Sequence, residues 1–97
     1  MTTPHVIPAR FHLGQIAATP GVLAALDGDS SLAALLLTRH ARGDWGDICE
    51  EDSALNNDAL ENGGRIMSVY KLFHGATVWI ITESDRSVTT LLLPDEY

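Results

Sequence analysis

A histidine, a carboxylate and a guanidinium stand outside the apolar runs of this 97-residue sequence. His40 can serve as a general base, Glu83 as a general acid and Arg86 as a clamp on phosphate oxygens. Those three roles suffice for RNA cleavage without a metal. They combine only if the helix end carrying Arg39, His40 and Arg42 packs near the turn Glu83-Ser84-Asp85-Arg86. Each group also has a plainer use. Cations at a helix C-terminus complement its dipole, and charged residues in a tight turn pair locally.

The second constellation is RHARGDWGDICEEDSALNND, Arg39 to Asp58. Asp44 to Glu61 holds seven carboxylates (Asp44, Asp47, Glu50, Glu51, Asp52, Asp58 and Glu61) and no Lys or Arg. The other six acids and six bases cancel, so the net charge of −7 belongs to this one segment. A negative field of that kind repels phosphate backbones and favours a basic protein surface. Asp44, Trp45, Asp47, Glu50, Glu51 and Asp52 are the candidate partner-binding residues. Asp44-Trp45-Gly46 also reads as a simple connector between helices, with Trp45 as a packing residue.

Other chemistries find little here. The four histidines, His5, His12, His40 and His74, are widely spaced, and there is neither a Cys pair nor an HExxH. The carboxylates lack the alternation of a calcium loop, so no metal is expected. No glycine-rich phosphate loop and no GxSxG elbow occurs, and no cofactor is expected. Ser68, Thr89 and Thr90 read as ordinary strand and turn fillers. Cys49 is the only cysteine, which excludes an internal disulfide and suits a reducing cytoplasm. The longest apolar run, Leu32 to Leu37, is far short of the about 20 residues that span a bilayer. No secretory signal is read at the N-terminus, so the chain is expected to be soluble and cytoplasmic.

The elements that must position these residues follow from periodicity and punctuation. Met1 to Arg10 reads as a flexible tail and 11–97 as one domain. Phe11 to Ala17 has a weak alternating strand pattern, interrupted by Gly14. Thr19-Pro20 starts a short helix that Gly28 ends. Asp29 or Ser30 caps a second, whose stripe is Leu32, Leu35 and Leu36, stopping near Gly43. Asp47 and Glu50 match a capping box for a third helix, about Cys49 to Asn62, with Leu55, Ala59 and Leu60 as its apolar positions. Three strands complete the chain: Ile66 to Phe73, Thr77 to Thr82 and Val88 to Leu93. The turns between them are His74-Gly75 and Glu83 to Arg86. Trp79 lies mid-strand and is expected in the core. The expected fold is α+β: about three N-terminal helices on one face of a three- to four-stranded antiparallel sheet, formed mainly by the C-terminal β-meander. Its strand edges allow a homodimer.

Three segments, FHLGQIAATPGVLAAL, RHARGDWGD with its trailing EED and N, and WIITESDRSVTTLLLPDEY, together resemble a group of small bacterial proteins of mobile elements. That group is often labelled "plasmid-related protein" and sometimes a type I restriction methylase subunit. The likeness spans Phe11 to Tyr97. It implies association with plasmids or integrated elements, and hence antagonism of a host defence, a toxin-like nuclease or a regulatory adaptor. The methylase label does not suit a chain too short for a methyltransferase fold and lacking its glycine-rich cofactor loop. Two functions follow. The first is a non-enzymatic interaction module docking its acidic helix on a basic partner. The alternative is a small metal-independent nuclease using His40, Glu83 and Arg86.

Overall fold

The computed structural model describes residues 8–97, and most of the N-terminal segment read as a tail lies outside them. The described chain runs β1 (Gln15–Ala18), α1 (Pro20–Ala25), α2 (Ser30–Ala41), α3 (Glu50–Asn62), β2 (Ile66–Lys71), β3 (Thr77–Thr82) and β4 (Val88–Leu92), then a 3₁₀ turn, Pro94–Glu96. It is an α+β fold with a four-stranded sheet in the order β1-β4-β3-β2.

The sheet is mixed rather than antiparallel. β2, β3 and β4 form the expected meander, but β1 pairs in parallel with β4, Gln15 opposite Val88 and Ala18 opposite Leu91. A hairpin reverses direction between neighbouring strands. β1 and β4 share no hairpin: three helices and two strands separate them, so their relative direction was free. The strand also starts later than its alternation suggests. Gly14 has a φ of 66°, and a Cβ there would collide with the Ser87 carbonyl. That close approach delivers Gln15 N–H to Ser87 O at 3.0 Å.

The first two helices begin where the sequence places them. Thr19 caps α1, its hydroxyl accepting from Val22 N–H at 3.2 Å, and Asp29 caps α2, accepting from Leu32 N–H at 3.0 Å. α3 departs from expectation. Its N-cap is Cys49, with no side-chain capping bond, so the Asp47–Glu50 capping box is not formed. Asp47 has other engagements, described below.

The registers put Ile66, Ser68, Tyr70, Val78, Ile80, Thr82, Thr89 and Leu91 on one face of the sheet. Val22 and Leu26 from α1 and Leu36 from α2 pack with Tyr70, Val78, Ile80 and Leu91. A second cluster joins Trp45, Ala59 and Ile66, with Phe11, Ile48 and Leu60 against it. Leu35 and Leu55, expected in apolar stripes, are instead 56% and 67% exposed. On the opposite face Trp79 is only half-buried, against the Tyr97 ring at 5.6 Å, not in the core as expected.

Candidate functional site

Trp45, Gly46 and Asp47 run beside β2 as a one-residue parallel bridge. Val69 N–H donates to Trp45 O at 3.0 Å, and Asp47 N–H donates to Val69 O at 2.7 Å. Gly46 has a φ of 77°, and a Cβ there would strike Val69 O and the Tyr70 ring. One turn into α3, Asn56 continues the seal. Its side-chain amide donates to Met67 O at 2.8 Å and accepts from Met67 N–H at 3.1 Å. The connector and α3 thus satisfy the outward-facing main chain of Met67 and Val69 on an edge strand, groups that otherwise invite foreign pairing.

Charges in the connector are balanced. Asp44 bonds Arg39 Nε at 2.7 Å, and Arg39 lies over the Tyr70 ring at 4.7 Å. The Arg39 hydrogen bond holds the Asp44 carboxyl below its ordinary range. Asp47 pairs with Lys71 at 2.7 Å. Tyr70 donates its hydroxyl to Asp44 O at 2.6 Å, and burial pushes that phenol up to about 12. Trp45 is 5% exposed and donates its indole N–H to Asn57 at 3.2 Å. Of the six residues assigned to docking, Trp45 is therefore a core residue, and Asp44 and Asp47 are neutralised by cations folded against them. Glu50, Glu51 and Asp52 remain, exposed on the first turn of α3. Among the described residues no cation pairs with them or with Asp58 and Glu61.

His40, Glu83 and Arg86 are not brought into a shared cleft. His40 is 0% exposed. Its Nδ1 lies 2.5 Å from Ser68 Oγ, and its Nε2 lies 2.9 Å from Thr82 Oγ1. Thr82 and Thr89 hydroxyls meet at 2.6 Å, and Thr89 donates to Leu13 O at 2.7 Å. That last carbonyl can only accept, which fixes the direction of the chain. Thr89 gives its proton to Leu13, Thr82 to Thr89, and His40 Nε2–H to Thr82, so Nδ1 accepts from Ser68. The ring is a neutral Nε2–H tautomer with both nitrogens satisfied. Burial pushes its pKa down to about 4, and the Phe11 and Trp45 rings pack against it at 5.2 and 6.0 Å.

Arg86 caps α3 from outside. Its guanidinium donates to Ala59 O at 2.9 Å, Gly64 O at 2.6 Å and Glu83 O at 3.2 Å, and lies 5.7 Å from the Phe11 ring. A cation on the last carbonyls of a helix matches the negative end of its dipole. Glu83 faces Arg65 at 3.3 Å, and Arg65 also donates to the Tyr97 hydroxyl at 2.8 Å. The side chains of base, acid and clamp thus have separate partners, and Arg86 meets Glu83 only at its main-chain carbonyl.

Sequence reasoning missed how α3 divides the neighbours Asn56, which is buried, and Leu55, which is exposed. Leu55 points outward among acids, with Glu51 and Asp52 a turn before it and Asp58 a turn after. The sequence did contain a signal. Exchanging Leu55 for Asn56 on the buried face leaves Asn56, Ala59 and Leu60 at helical spacing, but an asparagine is not read as a core residue unless a strand edge awaits it. Among the described residues no cluster of His, Cys, Asp and Glu could hold a metal ion, and no helix is long and apolar enough to cross a membrane. Comparison with family models, with curated proteins and with solved structures found no match to this chain.

Proposed function

We propose that this chain is a non-catalytic interaction module that docks the outer face of α3 on a basic protein surface. The observation that carries this reading is Leu55. It is 67% exposed in the middle of a helix and is ringed by Glu51, Asp52 and Asp58, which have no cation partner among the described residues; a leucine so placed can serve as an interface anchor. The carboxylates steer and orient a basic partner, while the leucine supplies buried area once docked. The inner face of α3 is held by Ala59, Asn56 and the Arg86 cap, so the outer face is available for contact.

The resemblance to mobile-element proteins is compatible with an adaptor or an antagonist whose target carries a basic surface. The nuclease alternative draws no support from the geometry, because its base is enclosed and its clamp holds main-chain carbonyls.

The test is affinity capture from cells with the full chain, comparing three forms: wild type, Leu55→Ala, and the triple reversal Glu50→Lys, Glu51→Lys, Asp52→Lys. Partners lost in both variants, with unchanged circular dichroism, support the reading. Retention of every partner by the triple reversal removes it.

A further inference from the structure

The two edges of the sheet are treated differently. β2 is covered at Met67 and Val69 by Trp45, Asp47 and Asn56. Among the described residues β1 has no such cover. Gln15 N–H donates to Ser87 O and Thr19 N–H to Leu91 O, so the residues bonded toward β4 are Gln15, Ala17 and Thr19. The N–H and C=O groups of Ile16 and Ala18 therefore point away from the sheet. Among the described residues they have no backbone partner, and the whole strand is exposed. Edge strands are usually guarded by a lysine, a proline or a bulge. The sequence of β1 is Gln-Ile-Ala-Ala, with none of these, and its shortness, 4 residues, is what limits pairing along it.

We propose that β1 pairs with β1 of a second copy of this chain, antiparallel about a two-fold axis at Ala17, joining two sheets into one of eight strands. The register follows from the outward groups. With Ala17 opposite its own copy, Ile16 faces Ala18 of the other chain, and Ala18 faces Ile16. Both are hydrogen-bonded pairs, so four main-chain bonds form and every outward group of Ile16 and Ala18 is satisfied. Shifting the axis to Ile16 would require Gly14 to pair, and its φ of 66° takes it out of extended geometry.

Side chains in this register complement themselves. A large Ile16, 49% exposed, lies beside a small Ala18 on one face, and two alanines meet at the axis on the other. A second copy is favoured over a foreign strand because β1 supplies both halves of that match. Charge points the same way. The strand carries none, and the acidic α3 sits at the opposite edge, beyond β2. Three strand spacings of about 4.8 Å put β2 roughly 14 Å from β1, further than the Debye length of about 8 Å at physiological salt. The contact is narrow and falls in the weak class of interfaces, so association should be visible only in concentrated solution.

Sedimentation equilibrium of the whole chain tests this. The expected result is a mass near 10.5 kDa when dilute, rising toward twice that value as the protein is concentrated to about 1 mM, a concentration suited to weak dimers. Ile16→Lys places a charge on the edge, and Ala18→Pro removes an outward N–H without touching the β4 ladder. Both should stay at 10.5 kDa while keeping the wild-type circular dichroism. Amide exchange provides a readout without mutation. At about 90% dimer, Ile16 and Ala18 N–H should exchange about tenfold more slowly than in dilute protein, with Ala17 unchanged. A wild-type chain monomeric throughout, or a dimer that persists in both variants with exchange unaltered, overturns the proposal.

Discussion

Asn56 and Met67 are joined by two hydrogen bonds, 2.8 Å and 3.1 Å, so that one side-chain amide stands where the backbone of a neighbouring strand would stand. The amide has the same donor and acceptor as a peptide group, and Asn56 is 5% exposed. An alanine here leaves the Met67 N–H and C=O at a partly wet edge with no protein partner. We expect Asn56→Ala to lower stability by about 1–2 kcal/mol, the net value of two such bonds. Urea denaturation should show this loss, and amide exchange at Met67 should accelerate with it. Asn56→Asp keeps an acceptor for Met67 N–H but sets a charged oxygen against Met67 O at a nearly buried site, and should be at least as destabilising as alanine at neutral pH.

Leu55, the adjacent residue, provides the contrast. It is 67% exposed, and burial of its side chain contributes little to the fold. Leu55→Ala should change stability by less than about 0.5 kcal/mol, as surface substitutions do. Ala59, 4% exposed against Trp45 and Ile66, has no such freedom. Ala59→Leu should cost about 1–3 kcal/mol through overpacking. Thermal melts of the pair decide which face of α3 is inside.

Arg86 combines a left-handed backbone, φ 61°, with a guanidinium on the carbonyls of Ala59, Gly64 and Glu83. Lysine has one ammonium and cannot reach diverging carbonyls as a planar fork does. Arg86→Lys should therefore lose much of the cap, at about 1–2 kcal/mol, and Arg86→Ala more, at about 2–3 kcal/mol, given the usual value of charged hydrogen bonds. Both should appear as lower urea midpoints, with faster amide exchange in the last turn of α3.

Features set by neighbours in the chain were legible before the structure. The Thr19-Pro20 and Asp29 helix starts rest on bonds between residues three positions apart, and the meander pairs strands that follow one another in the chain through short turns. What escaped depends on distant pairing. The direction of β1 is set by β4, more than sixty residues away. Asp47 fails as a capping residue because β2 claims its main chain and Lys71 its carboxylate. Ser68 and Thr89 read as strand fillers, yet with Thr82 they are the sockets that let His40 be buried. The charge pattern in the first turn of α3, on which the proposed docking rests, was legible. Leu55, its proposed anchor, was read as core because apolar residues are inside more often than not.

The same chain of hydroxyls makes acid sensitivity a property of His40. Its folded pKa is about 4 against an ordinary 6.5. The unfolded chain therefore binds a proton below pH 6.5 that the folded chain refuses until about pH 4. The stability tied to the neutral ring is fully present above pH 6.5 and is lost as pH falls toward 4, about 3 kcal/mol in all at 1.36 kcal/mol per unit. Protonation at Nδ1 would also place a donor against the Ser68 hydroxyl, which must turn to accept. Asp44 and Glu96, whose carboxyls are held low by Arg39 and Thr19, lose their contributions as pH falls below their ordinary ranges, so a difference between variants is the clean measurement. Urea unfolding of wild type and His40→Gln should be compared from pH 7 to pH 4. The glutamine chain is expected to be less stable at pH 7 but to lack the extra slope between 6.5 and 4. Equal slopes in the two chains would show that His40 does not carry the acid response.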